Sequence, residues 1–358
     1  MYMKFKILCF LLISFIPSFS QVFLQADSSG DAYSLISSKG FGYEVPDCKH
    51  HVTHIFEKWD KDLKKYVFVF NIHRAKDDDR CINTDRQRNE IKTWTDSPDS
   101  MKGFYGETVF FRWKFFLDDG FRAGRNFCHI HQIKAGNGPD DGPPLLTITP
   151  RGSALQVCFI PPSDEGKEFI LDEKPLAKFK GEWIEAIEKI TYAADTGKYS
   201  LQLRRVSDDK LLLNCTNNNI STWRAGSTFN RPKFGIYRSL KNSSSLRDET
   251  VLFTDFSLHK LPAAQLPAAP SNLSVSTIEE KAIVLNWKDN SFNEDQFRID
   301  RSEDGSTWSY LATVNAGIST YQDTLSGKGT YYYRVRAENQ VGNSVSIYND
   351  SSKPDLKH

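Results

Sequence analysis

The sequence predicts an all-β chain in which a large β-sandwich or jelly roll is followed by a smaller β-sandwich. Three observations predict it. Short runs rich in Phe, Tyr, Val and Ile alternate apolar and polar residues with a period of two, as half-buried strands do. Clusters of Gly, Pro, Asp and Asn punctuate these runs at short intervals. No strand–helix–strand alternation and no Gly-rich phosphate loop interrupts them. The 358 residues leave room for about two domains. Lysine and arginine total 46 against 45 Asp and Glu, a formal net charge of +1. That balance excludes a globally basic nucleic-acid binder, so any surface for a polyanion must be local.

Residues 1–21 read as a secretory signal peptide rather than as part of the fold. Lys4 and Lys6 precede an apolar run over 7–16 that is too short to span a bilayer comfortably, and Pro17-Ser18-Phe19-Ser20 leads to a cut near Ser20/Gln21. Cys9 lies inside the apolar run, away from the cut, which argues against a lipid anchor. No later segment has about 18 consecutive apolar residues, so no membrane span is expected and the mature chain is expected outside the cell or in the periplasm. Cys48, Cys81, Cys128, Cys158 and Cys215 remain, an odd set whose spacing resembles no zinc site. Cys48 and Cys81, both flanked by polar loop sequence, are the best candidates for a disulfide.

The first domain is expected over 22–261. Strand-formers concentrate at 66–70, and 108–117 reads as a long aromatic strand with Arg112 and Lys114 interleaved. Further strands are expected at 127–134, 144–149, 154–160, 182–192, 198–206, 210–215, 233–239 and 250–259. The 182–192 segment could form a short helix, but Trp183, Ala186 and Ile190 do not complete a helical stripe, so a strand is favoured. Residues 262–270, with three prolines among alanines, suit a semi-rigid extended linker. After it, alternation recurs at Leu273-Val275, Ile283-Leu285-Trp287, Phe297-Ile299 and Tyr331-Tyr333-Val335-Ala337, with turn signals at Asp304-Gly305 and Gly327-Lys328-Gly329. With the entry at Pro270, the core Trp287, Tyr333-Arg334-Val335-Arg336-Ala337 and Asn339-Gln340-Val341-Gly342, residues 271–350 resemble a fibronectin type III domain. That resemblance implies an immunoglobulin-like sandwich and says little about function.

Three strand-like segments carry candidate chemistry. On Asp85-Arg86-Gln87-Arg88-Asn89-Glu90-Ile91-Lys92, alternation places Arg86, Arg88, Glu90 and Lys92 on one face. A solvated edge would look the same, but so would the wall of an anion-binding groove in which Arg88 forks a carboxylate. On His129-Ile130-His131-Gln132-Ile133-Lys134, alternation puts Ile130, Gln132 and Lys134 on one face and His129, His131 and Ile133 on the other. Two histidines at this spacing lack a third metal ligand in the sequence. On Lys233-Phe234-Gly235-Ile236-Tyr237, Lys233, Gly235 and Tyr237 share a face, with Gly235 clearing room for a ligand. Arg, Gln, Lys and Tyr together suit β-elimination on a uronic acid. Cations and amides stabilise the carboxylate as charge develops, and a tyrosine exchanges protons, its usual pKa of about 10 lowered by neighbouring cations.

Arg88-Asn89-Glu90, Gln132-Ile133-Lys134 and Lys233-Phe234-Gly235-Ile236-Tyr237, in this order, resemble the motifs of the concanavalin-like β-jelly-roll polysaccharide lyases. Lys134 stands where alginate-lyase-like members carry His, and the chain looks most like the ulvan lyases of polysaccharide lyase family 28. The resemblance implies cleavage of an anionic, sulfated uronic-acid polysaccharide to 4,5-unsaturated uronyl ends. Tyr237 would be the combined base and acid and Lys134 the neutraliser, assisted by Arg88 and Gln132. Arg86, Glu90, Lys92, His131, Lys233 and Arg238 are the candidate substrate-binding residues, with Arg112 a further cation for sulfates. These cations face few acids in the local sequence, chiefly Glu90, so a cationic groove is expected. No cofactor is required. Acidic loops at Asp77-Asp78-Asp79 and Asp140-Asp141 are where a structural Ca2+ would sit, although no EF-hand spacing supports one. A lectin-like sandwich without catalysis stays open. A retaining hydrolase is less favoured, because Glu182, Glu185 and Glu188 lack the Glu-x-Asp-x-x-Glu spacing that would set two carboxylates on one strand.

Overall fold

The structure, a computed structural model, describes residues 21–48, 50–162, 166–261, 266–278, 282–291, 293–325, 329–339 and 341–349. The expected signal peptide lies outside the described residues except for Gln21. So do residues 262–265 of the linker, the Gly327-Lys328 turn and Gln340. Among the described residues no helix is long and apolar enough to cross a membrane.

The chain folds into two β-sandwiches, the first a jelly roll and the second immunoglobulin-like. The first opens with β1 (Gln21–Leu24), α1 (Ala32–Ser38), β2 (Gly42–Glu44), β3 (Ile55–Asp60), β4 (Lys65–Ile72) and β5 (Arg86–Lys92). It continues with β6 (Thr108–Leu117), β7 (Cys128–Ala135), β8 (Leu146–Arg151), β9 (Ala154–Phe159) and β10 (Phe169–Pro175). It closes with β11 (Trp183–Thr191), β12 (Gly197–Arg205), β13 (Lys210–Ile220), β14 (Asn230–Ser239) and β15 (Glu249–Leu261). The second holds β16 (Ser271–Ile278), β17 (Ala282–Lys288), β18 (Gln296–Ser302), β19 (Ser309–Asn315), β20 (Thr320–Thr324) and β21 (Tyr332–Asn339), with two-residue strands at Gly342–Asn343 and Ile347–Tyr348.

One sheet of the jelly roll runs β13-β12-β11-β6-β15-β4-β3, with β1 also on β15; the other runs β10-β9-β8-β7-β14-β5-β2. Period-two alternation sends one face of each sheet into a shared core. Phe68, Phe70, Phe111, Trp113, Phe115, Leu201 and Phe253 come from the first sheet. They meet Ile91, Ile133, Ile148, Val157, Phe234 and Ile236 from the second, and all are buried. The 182–192 segment is strand β11, paired with β6 and β12. In the second sandwich Trp287, Phe297, Tyr333 and Val335 form a separate core. Cys48 and Cys81 are disulfide-bonded, and Cys128, Cys158 and Cys215 are free, buried thiols.

The two sandwiches touch through polar contacts. Lys189 Nζ donates to the Glu294 carbonyl at 3.0 Å, Gln202 Nε2 to the Ala316 carbonyl at 2.9 Å and Arg204 Nη2 to the Gly317 carbonyl at 2.6 Å. Arg112, expected to meet sulfates, lies on β6 at this contact and forks Glu185 at 2.9 and 2.8 Å. It therefore sits on the sheet opposite the three motif strands.

Strand order brings the motif strands together: β14 lies between β7 and β5. Gly235 makes the approach of β14 to β5 possible. Its φ of +149° is one that L side chains rarely adopt, and a Cβ there would run into the carbonyl oxygen of Asn89 and the Cα of Glu90. The glycine is thus demanded by the neighbouring strand, not by room for a ligand. Gly235→Ala is expected to lower stability by about 2–4 kcal/mol in urea denaturation. An unchanged midpoint would show that the strand pair relaxes freely.

Candidate active site

The register of β14 sets the site. Lys233 pairs with Lys92 on one side and Gln132 on the other, Gly235 with Glu90, and Tyr237 with both Arg88 and His129. The core takes Ile91, Phe234 and Ile236. Arg86, Arg88, Glu90 and Lys92 therefore share the outer face with Lys233 and Tyr237, next to Gln132 and Lys134.

Glu90 is the centre of this face and is fully buried. Its carboxylate accepts from Arg88 Nη1 at 2.7 Å, stands 2.7 Å from Lys233 Nζ and accepts a short bond from Gln132 Nε2. Glu44, at the end of edge strand β2, closes the network from the side. It accepts from Lys233 Nζ at 2.5 Å, Lys92 Nζ at 2.8 Å, Arg80 Nη1 at 2.7 Å and Arg88 Nη1 at 3.2 Å. Asp79 takes Arg88 Nε at 2.9 Å. Burial alone would raise both glutamate pKa values, but the attraction of Lys233 and Arg88 outweighs it and holds each carboxyl below the usual range.

The expected cationic groove is thus largely compensated. Arg88, Lys92 and Lys233 are matched by Glu90 on β5 itself, Glu44 on edge strand β2 and Asp79 in the loop that leads into β5. Lys134 differs. Its ammonium donates to the Gly142 carbonyl at 2.7 Å, and no ion pair of Lys134 is seen among the described residues. Burial, then Lys233, Arg231 and Arg88, push its pKa down to about 8.

Tyr237 is partly exposed, and cations address it from two directions. Arg86 Nη1 donates to its hydroxyl at 3.0 Å, and the Arg88 guanidinium carbon lies 3.7 Å from its ring centroid. Arg86 is itself forked onto the exposed Asp85 at 2.7 Å. His129 packs at 6.0 Å from the Tyr237 ring and bonds Thr149 Oγ1 through Nδ1 at 2.7 Å. Burial lowers its pKa to about 4, so it is a neutral imidazole near pH 7.

Two predicted substrate-binding residues face the core instead. His131 Nε2 meets Glu188 Oε2 of the opposite sheet at 2.9 Å, and its ring lies 4.4 Å from Trp113 and 4.7 Å from Phe234. It is a clamp between sheets. His131 shares the face of Ile133, so alternation alone sends it inward; a register shift then acts on its neighbour, because between paired positions β14 advances from Phe234 to Tyr237 while β7 advances only from His131 to His129. His129, expected on the core side, is thereby turned out beside Tyr237, and the two histidines part. Arg238 is fully buried and bonds Gln87 Oε1 and the Arg247 carbonyl, both at 2.9 Å. Following an outward Tyr237, it must point inward. Glu90 is enclosed by its partners and organises the face rather than meeting a ligand directly. Sequence reasoning missed Glu44, Asp79 and His129; an edge-strand acid such as Glu44 leaves no local signal.

Several carboxylates of the acidic loops named for calcium also hold protein groups. Asp140 pairs with Arg224, and Asp79 holds Arg80, Arg88 and Asn83. Asp78 accepts from the Cys81 amide at 2.8 Å.

No protein-family model matches the chain, and no curated protein matches it. Solved structures do. The endo-β-1,4-glucuronan lyase of the fungus Trichoderma reesei aligns with a TM-score of 0.44 at 16% identity, over 61% of this chain and 94% of that one. The marine alginate lyase of family 14 from Aplysia kurodai gives a TM-score of 0.46 at 11% identity, over 66% and 97%. A fibronectin-type-III-like protein from Clostridium thermocellum gives 0.23 at 24% identity, over 26% of this chain and all of its own.

Because Glu44 and Glu90 titrate lower in the folded chain than unfolded, their contribution is complete above the unfolded value of 4.5 and drains as pH falls toward the folded values. Glu90→Gln leaves Arg88 and Lys233 under-compensated and is expected to cost about 3–5 kcal/mol at pH 7. The gap to the unsubstituted protein should narrow in urea melts below about pH 4. A gap independent of pH would contradict the ion-pair account.

Proposed function

We propose that this chain is a secreted polysaccharide lyase that cleaves a uronic-acid polymer by β-elimination, with a sulfated, ulvan-like polymer as the favoured substrate. The observation that carries the reading is Tyr237. It is a partly exposed phenol, hydrogen-bonded by Arg86 and stacked under Arg88, on β14 between the strand that bears Gln132 and Lys134 and the strand that bears Arg88.

Elimination needs three services. The carboxylate at C6 must be held so that negative charge can build on it as the C5 proton leaves. Lys134, which makes no ion pair among the described residues, supplies the cation, and Gln132 lies beside it on β7. A base must take the C5 proton, and its electron pair becomes the C4=C5 double bond as the C4–O4 bond breaks. The leaving O4 must then receive a proton. Tyr237 serves both steps: as phenolate it accepts the proton, and as phenol it returns one to O4, with Arg86 on its hydroxyl and Arg88 over its ring. Lys134 in place of histidine supports a substrate in which fixed positive charge matters more than a neutral base. That supports the ulvan-like assignment over alginate.

One observation favours a second division of labour. A lysine titrating near 8 is partly neutral in mildly alkaline solution and could itself take the C5 proton, leaving Tyr237 as the acid alone.

Tyr237→Phe is expected to lower turnover by about 10²- to 10⁴-fold while leaving polymer affinity within about threefold. The assay is ultraviolet absorbance of the conjugated product on ulvan, glucuronan, heparin and alginate. No unsaturated product on any polymer, with binding retained, would replace the lyase by the lectin-like reading.

The pH dependence of kcat/KM separates the two roles of Lys134. If it neutralises, activity must fall as pH rises through about 8, because the protonated form is needed. If it is the base, activity must rise through the same value.

A further inference from the structure

Outside the proposed active site, His50, His54, His73 and Asp77 converge at the ends of β3 and β4, beside the Cys48–Cys81 disulfide. We propose that these four side chains hold one zinc ion in a closed site that fixes the loop leading into β5.

The donor atoms lie within 4.8 Å of one another. That is near the separation of about 3.4 Å that four bonds of about 2.0–2.1 Å impose around a tetrahedral ion. Asp77 is the focus: His50 Nδ1 is 3.0 Å from Oδ1, and His54 Nε2 and His73 Nδ1 are each 3.1 Å from Oδ2. The imidazoles meet edge to face, with centroids 4.8 to 5.5 Å apart, so their nitrogens point inward together. One carboxylate serves three rings poorly. His54 Nε2 is fully buried and, although 3.1 Å from Asp77 Oδ2, makes no well-aligned hydrogen bond among the described residues. A buried, unsatisfied nitrogen aimed at two more imidazoles and a carboxylate is what a metal would complete.

His54 is also prepared for that role from its other side. Its Nδ1 is bonded to Asp47 Oδ1 at 2.5 Å, and Asp47 Oδ2 accepts from Tyr33 Oη at 2.8 Å. A carboxylate on the far nitrogen fixes the ring and raises the basicity of the ligating one. Three imidazoles and one carboxylate suit zinc; calcium and magnesium prefer oxygen-only sets. Four protein ligands leave no open position, so the ion would be structural.

The site is wired to β5 through its backbone. Asn89 Nδ2 donates to the His54 carbonyl at 3.0 Å, and Gln87 Nε2 to the carbonyls of His73 and Asp77, both at 2.9 Å. Two residues beyond Asp77, Asp79 holds Arg88.

The test uses the full chain and is read without polysaccharide, so the lyase reading can fail while this one stands. Purified protein is stripped with a strong chelator and dialysed against zinc, and bound metal is measured by mass spectrometry. About one zinc per chain, a melting temperature raised by about 5 °C and the intense visible bands of tetrahedral cobalt after Co2+ substitution are expected. Asp47→Asn, which removes no ligand, should weaken zinc binding by about 10- to 100-fold in a chain that still folds. His54→Ala should abolish the melting shift. Uptake below about a tenth of an equivalent, an equal shift in His54→Ala, or stabilisation by calcium in place of zinc would overturn the proposal.

Discussion

A carboxylate with no access to water constrains everything on the outer face of the second sheet. Glu90 can remain ionised there only because Lys233, Arg88 and Gln132, from three strands, reach it simultaneously. Burying such charges is costly, and their attraction repays the cost only when each remaining lone pair is also satisfied. That condition selects one arrangement of β7, β14 and β5. A one-residue slip of β14 would carry Lys233 to the core and Phe234 to the outer face. Gly235 is the steric counterpart of the same condition, since only a glycine lets β14 close on the backbone opposite Glu90.

The network also decides which charges are left for chemistry. A row of lysines and arginines on one face looks like a polyanion track, yet Glu44, Glu90 and Asp79 consume most of it. Arg88 is held on three carboxylates and laid flat on Tyr237, so its contribution is a fixed field over the phenol ring. Preorganised dipoles and charges of this kind need little rearrangement as charge moves in a transition state. Lys134 makes no ion pair among the described residues; burial, with the repulsion of Lys233, Arg231 and Arg88, lowers its pKa, and it is the cation best placed to answer a ligand's charge.

Alternation carries local information faithfully, so the strands, the outward row on β5 and the outward Lys233 and Tyr237 were legible in the sequence. The inward Arg238 was equally legible, because it follows Tyr237 directly, and counting it among ligand contacts ignored that. His131 was legible in the same way, because it shares the core face with Ile133; His129 could not be placed by alternation, since a register shift against β14 breaks the period there. Glu44 and Asp79 were hidden for another reason. A three-residue edge strand and a loop have no periodicity, and their value lies in partners contributed by β5 and β14. Long-range compensation of charge is a property of topology, and counting local acids around the basic strands therefore overstated the positive potential. The His-x3-His and His-x3-Asp spacings of His50, His54, His73 and Asp77 were visible in the sequence. They meant nothing until β3 and β4 were seen to pair and bring the two segments side by side.

The two faces of β5 divide the labour of the strand. Outward, Arg86, Arg88, Glu90 and Lys92 make the polar surface; inward, Gln87 and Asn89 are amides where an apolar residue would pack more simply. A buried amide is tolerated only when its hydrogen bonds are met. Here the side-chain amide N–H groups of Gln87 and Asn89 are spent on the backbone carbonyls of 54, 71, 73, 74 and 77, while Asn89 Oδ1 is buried without a hydrogen-bond partner among the described residues. The strand that presents Arg88 is thereby fastened to the loop that supplies Asp79 to the same guanidinium. A change on the loop therefore reaches the outer face by two routes, through the strand and through the ion pair. Rigidity of the Arg88–Tyr237 stack is consequently a property of this closed circuit, and no single contact within it suffices to set the geometry.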